Sequence, residues 1–132
     1  MMIGLDTNVL VRYFTQDDEK QSKKATKTIE NELSKDSPGY ISSVVFVELC
    51  WVLIRIYKVG KVDLAAIIHE LLNSEDLQIE HREEAWKAYH AFSGVGIDFS
   101  DALLGNIHKS NGCNYTVTFD KGATKSDLFK LI

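Results

Sequence analysis

Apolar positions along this chain switch between short runs and helical stripes. Residues 2–5 form a short apolar run that stops at Asp6, as a first strand would. Val9, Leu10, Tyr13 and Phe14 then recur at helical spacing, with Thr7 or Asn8 as the expected cap. Residues 17–35 are polar, with a narrow stripe of Ala25, Ile29 and Leu33 and with acids at the start, where the helix dipole favours them. They predict a second helix. Asp36-Ser-Pro-Gly39 forms a turn, and Tyr40 and Ile41 a short second strand. Ser42 or Ser43 then caps a strongly apolar helix running to about residue 58. Further helices are expected over 62–73, 83–92 and 101–110, the last stopped by Asn111-Gly112. Strands are expected over 77–80, 115–119 and 128–132, with a loop at 94–97.

Strands alternating with helices imply an α/β fold with a mainly parallel sheet. Ligands bind such sheets beyond the carboxyl ends of the strands. Asp6 and Asp120 directly follow expected strands, so both should project into that edge. A length of 132 residues fits one compact domain spanning 1–132. With 45% apolar and 26% charged residues, the chain can bury a core without staples. Cys50 and Cys113 make no CxxC pair, which argues against a disulfide scaffold and for a reducing, cytoplasmic setting. The start, MMIGLDTN, lacks the basic region and apolar run of a signal peptide. The most apolar stretch, 44–56, is interrupted by Glu48 and Arg55 and is too short to span a bilayer. A net charge of −4 leaves any nucleic-acid activity to a local basic surface or to a metal.

Five carboxylates stand apart from the other acids: Asp6, Glu48, Asp98, Asp101 and Asp120. The helical neighbours of Glu48 are Val44, Val45, Trp51 and Val52, all apolar. A carboxylate on such a face is expected to be buried or to point into a cleft, and it then needs a partner. Arg55, two turns on, is the structural partner; a bound cation is the functional one. Asp6 and Asp120 taken singly are cap or turn formers, and only together at one sheet edge do they point to chemistry. Asp98 could cap the helix from 101, and Asp101 could serve its dipole. Without a cation such a cluster is unfavourable: two like charges about 4 Å apart repel by about 4 kcal/mol at an effective dielectric near 20. An oxygen-only donor set favours Mg²⁺ or Mn²⁺ over zinc.

These acids fall within segments that resemble a known family. Residues 6–12, DTNVLVR, resemble the N-terminal signature of PIN domains, especially the VapC-type toxins of toxin–antitoxin pairs. VFVELCWVL, residues 45–53, resembles the helix that carries the family glutamate. DFSDALL, residues 98–104, resembles the segment of the third acid, and TFDK, residues 118–121, the closing segment. Four motifs in family order span nearly the whole chain. The resemblance implies a three-layer α/β/α sandwich and Mg²⁺-dependent RNA cleavage. Asp6, Glu48, Asp101 and Asp120 would be the metal-binding acids, with Asp98 a further candidate and Asn8, Thr118 and Ser43 as polar supports. It also implies a homodimer and a small VapB-like antitoxin whose tail covers the acidic groove. Where the family more often has small apolar residues, this chain has Gly105 and Asn106.

Other features pull less strongly. Lys20, Lys23, Lys24 and Lys27 share one helical face and could meet RNA phosphates, although a solvated face is the simpler reading. Arg12 could bind phosphate or pair with an acid. Trp51, Tyr57 and Trp86 are expected in the core. The four histidines lack zinc-site spacing, and no phosphate loop or GxSxG motif is present. A signalling receiver would need paired acids after the first strand, where Asp6 is followed by Thr7. A housekeeping RNA-processing nuclease and a silent RNA- or partner-binding module remain the alternatives to a toxin.

Overall fold

The computed structural model describes residues 1–132, which fold as two compact units, Met1–Glu80 and His81–Ile132. In the first unit, β1 (Ile3–Gly4), β2 (Gly39–Ile41) and β3 (Leu77–Ile79) form a parallel sheet in that order. The register pairs Ile3 with Gly39 and Tyr40 with Gln78. Leu5, Ile41, Leu77 and Ile79 carry the sheet's buried side chains.

The connecting helices are fixed by side-chain caps. α1 (Thr7–Thr15) begins one residue earlier than Thr7 or Asn8 as cap would allow, because the Asp6 carboxylate accepts the Thr7 N–H at 2.9 Å. The polar segment expected as one helix divides. α2 (Glu19–Thr26) starts where Asp18 accepts the Gln21 N–H at 2.8 Å. It then passes into a π-helical stretch, Lys27–Glu32, closed by Leu33 N–H on the Thr28 carbonyl five residues back, at 3.2 Å.

α3 (Ser43–Arg55) is capped by Ser42, which accepts the Val45 N–H at 3.2 Å. It ends about three residues before the expected point, and Lys58 then takes a left-handed φ of 56°. Its buried stripe is Phe46, Leu49, Cys50 and Leu53, spaced i, i+3, i+4, i+7. Each such side chain stabilises the unit by roughly 1.5–3 kcal/mol relative to exposure. The face opposite this stripe carries Val44, Glu48, Trp51 and Arg55, all exposed. Trp51, expected in the core, is 54% exposed, whereas Tyr57 and Trp86 are half-buried. α4 (Lys61–Asn73) buries Leu64, Ile68, Leu71 and Leu72.

In the second unit, α5 (Arg82–Gly94) packs on α6 (Phe99–Ser110). α5 buries Ala85, Ala88 and Phe92, and α6 buries Phe99, Ala102, Leu103 and Gly105. Gly112, at φ 97°, ends the turn after α6 in the left-handed region. β4 (Thr116–Thr118) and β5 (Phe129–Leu131) pair in parallel, with Thr116 opposite Phe129. The departure at Gly105 has a physical basis here. A Cβ at this buried glycine would stand 2.7 Å from Phe129 Cε2 and 3.0 Å from its Cζ. The aromatic ring of β5 fills the space that a small apolar side chain would take. Both units are α/β with parallel strands, as the alternating pattern predicts. No helix is long and apolar enough to cross a membrane.

Candidate functional site

All three strands of the first sheet run the same way, so the residues following them share its carboxyl edge. Asp6 follows β1, Ser42 and Ser43 follow β2, and Glu80 follows β3. Asp6 caps α1 and stays exposed. Thr7 beside it is 4% exposed, and its Oγ1 has no partner. The Ser43 hydroxyl is likewise buried and unpartnered, while its N–H donates to Glu80 Oε1 at 2.8 Å. Sequence reasoning passed over Glu80. The signal was available, since it closes the expected strand 77–80 as Asp6 and Asp120 close theirs.

Glu48 is exposed, so of the two expectations for it, burial or a place in a cleft, burial does not hold. Two of those neighbours, Val44 and Trp51, are themselves exposed on the outward side of α3, while Val45 and Val52 are half-buried. The physical reason is that α3 is apolar nearly all round, and packing selects the other stripe. Asn8 is exposed on the first turn of α1. Arg12 is held by its own surroundings. Its Nε donates to Gln21 Oε1 at 2.8 Å, and its Nη1 to the Tyr57 hydroxyl at 3.0 Å and Asp17 Oδ1 at 3.2 Å. The Tyr57 hydrogen bond above all raises the guanidinium pKa, and Asp17 adds to it. The Asp17 carboxyl is lowered in turn, first by the Tyr57 hydroxyl and then by that of Thr15. Lys20, Lys23, Lys24 and Lys27 are all exposed; Lys23 reaches Glu19 at 3.6 Å, and Lys27 lies in the π-helical stretch.

The second unit gathers the other acids. Asp98 caps α6, accepting the Asp101 N–H at 3.0 Å. Asp101 is partly buried, and its carboxyl pKa is raised by that burial first, then by the charges of Asp98 and Asp120. Asp120 accepts the Gly122 N–H at 2.8 Å, and its own N–H donates to Thr118 Oγ1 at 3.0 Å. The Thr118 hydroxyl therefore holds the backbone of the turn that carries Asp120.

Asp6 and Glu48 belong to the first unit, and Asp98, Asp101 and Asp120 to the second. No three His, Cys, Asp or Glu side chains are grouped so as to hold a metal ion as they stand. Within the second unit, Asp101 feels the negative charges of Asp98 and Asp120, which a cation would relieve, and all three offer oxygen donors. Within the first unit, the unpartnered hydroxyls of Thr7 and Ser43 stand beside Asp6 and at the head of α3.

A parallel α/β protein with acids following its strands is of the class that binds ligands beyond a sheet's carboxyl edge. The sequence matches the PIN domain family over residues 3–127, a span that runs through both units. The chain belongs to that family. PIN domains are generally nucleases and generally depend on a divalent metal. No curated protein matches the sequence significantly. Among solved structures, the chain is similar to VapBC2 from Rickettsia felis bound to a DNA fragment from its promoter. The identity is 17% and the TM-score 0.38, over 99% of this chain and 98% of that one. A likeness at that score carries no argument about function.

Proposed function

We propose that this PIN-domain chain is a Mg²⁺-dependent endoribonuclease, the toxin of a toxin–antitoxin pair. The observation that carries the metal-nuclease reading is the crowding at the start of α6, where burial, Asp98 and Asp120 together disfavour the charged form of Asp101. A cation bound there would relieve that repulsion. Asp6, Glu48, Asp101 and Asp120 would hold it, with Asp98 beside them. When bound, Mg²⁺ or Mn²⁺ supplies Lewis acidity at a phosphoryl oxygen and lowers the pKa of water. The chain's own residues set the frame. Asp98 fixes the first turn of α6, and Thr118 fixes the Asp120 turn. Ser43 and Thr7 hold buried, unpartnered hydroxyls after β2 and β1, and Glu80 fixes the head of α3.

The toxin assignment rests on the DTNVLVR, VFVELCWVL, DFSDALL and TFDK segments. It brings with it an RNA substrate, a small antitoxin as partner, and pairing with a second copy. The test is cleavage of a pool of structured RNAs in Mg²⁺ or Mn²⁺, with and without chelator. Cleavage that chelator stops, and that Asp101→Asn abolishes while the protein stays folded, supports the reading. Cleavage at the wild-type rate by Asp101→Asn removes it.

A further inference from the structure

The outer strand of the first sheet, β1, borders a cavity of about 380 Å³ formed with α1 and α2. Buried Leu5 and Ala25, with half-buried Val9, give it apolar walls. Arg12, Gln21 and Lys24 also line it, and no carboxylate does. Arg12 is tied in place from one side. Its Nε donates to Gln21 Oε1, and its Nη1 to the Tyr57 hydroxyl and to Asp17. A guanidinium carries five N–H donors, so both hydrogens of Nη2 remain unused. Gln21 accepts through its oxygen, which leaves its amide nitrogen as a second unused donor. Lys24, one helical turn along α2 from Gln21, is exposed and in no ion pair. Asp17 balances one of the two positive charges, and one stays in excess.

These properties restrict the occupant. A neutral apolar molecule would cover the walls but strip water from the Arg12, Gln21 and Lys24 donors without replacing it. A cation would be repelled. A bare inorganic anion would meet the donors and leave the apolar walls wet. An anionic head with several acceptor oxygens on a compact apolar body satisfies both parts. A phosphomonoester has three such oxygens, and guanidinium and ammonium groups are its natural partners. The volume lies within the usual range of small-molecule sites, about 300–1,000 Å³. We propose that this cavity binds a small phosphomonoester of an aromatic or similarly compact apolar group. Its head would meet Arg12, Gln21 and Lys24, and its body would lie against Leu5, Val9 and Ala25. The hydrogen bonds that already fix Arg12 and Gln21 reduce the ordering that binding would otherwise cost. The inference goes beyond the nuclease reading and does not depend on it.

The test uses the full chain with chelator present, so that no metal recruits phosphate elsewhere. The probe is 1-naphthyl phosphate, compared with 1-naphthol and with inorganic phosphate. Calorimetry gives affinity, and methyl NMR shifts of Leu5 and Val9 give location. The phosphomonoester should bind at least tenfold more tightly than either fragment and shift those methyls. Lys24→Gln, at an exposed position, should weaken it about tenfold, the scale of one charge-assisted hydrogen bond. Lys35→Gln, an exposed lysine outside the cavity, should leave it unchanged. Absence of binding, equal affinity for either fragment, equal effects of the two lysine variants, or shifts elsewhere would overturn the proposal. A 5′-phosphorylated RNA oligomer that binds at least tenfold more tightly than the probe and shifts the same methyls would overturn the small-molecule assignment in favour of an RNA end.

Discussion

Replacing Gly105 by alanine sets two effects of opposite sign against each other. Gly105 lies in the interior of α6, where alanine is ordinarily better by about 1 kcal/mol. In this fold the new methyl meets the Phe129 ring at 2.7 and 3.0 Å and Leu128 Cβ at 3.3 Å. Phe129 is 5% exposed and has little room to turn aside. Overpacking of a well-filled site costs about 1–3 kcal/mol. The difference is a net loss of about 1 kcal/mol, or roughly 4 °C in Tm for a chain of this size. Urea denaturation followed by circular dichroism measures it. A paired variant isolates the cause: Phe129→Leu removes the two clashing atoms and alone costs about 1–2 kcal/mol. Combined with Gly105→Ala it should cost less than the sum of the two, by about 1 kcal/mol. Gly105→Ala at or above wild-type stability, or strict additivity of the pair, would refute the packing argument. The outcome bears on the site too, because α6 carries Asp98 and Asp101 and β5 is the partner of the strand leading to Asp120.

Three other outcomes follow from the same structure. Asp101→Asn should raise metal-free stability at pH 7 by under ~1 kcal/mol, the scale of partly exposed charge interactions, while abolishing cleavage. The sign follows from the raised pKa: the folded state holds that proton more tightly, so stability falls as pH rises from the ordinary carboxylate range through the raised value; a lower midpoint for Asp101→Asn in urea would contradict it. Asp6→Ala should lose about 1 kcal/mol with the α1 cap, whereas Asp6→Asn keeps a capping oxygen and the fold but not the cleavage; parallel melts and RNA assays separate the two. Tyr13 should ionise near pH 12 in ultraviolet difference spectra and at lower pH in Glu30→Gln, and its contribution to stability should be present below pH 10 and lost between about 10 and 12. Burial and the hydrogen bond its hydroxyl donates to Glu30 are the leading causes. Unchanged ionisation in Glu30→Gln would rule out the charge of the Glu30 carboxylate as a cause.

Local rules reached a good part of this protein from its sequence. Parallel strands alternating with helices, Asp6 and Asp120 at strand ends, Asp98 as a cap and Gly112 as a stop all depend on neighbours within a few residues. The family's acids came from the same motifs. Other features needed the folded chain. α3 is apolar on more than one face, so periodicity alone could not say that Phe46, Leu49, Cys50 and Leu53 turn inward while Glu48 and Trp51 turn out. Arg12 found Tyr57 across 45 positions, and Ser43 found Glu80 across 37, separations that no spacing rule covers. Gly105 reads as a departure until Phe129 is seen against it. Hydrogen-bonded caps and turns are set by the chain's nearest residues; which stripe is buried, and which acids feel one another's charge, is set by what other elements press against them.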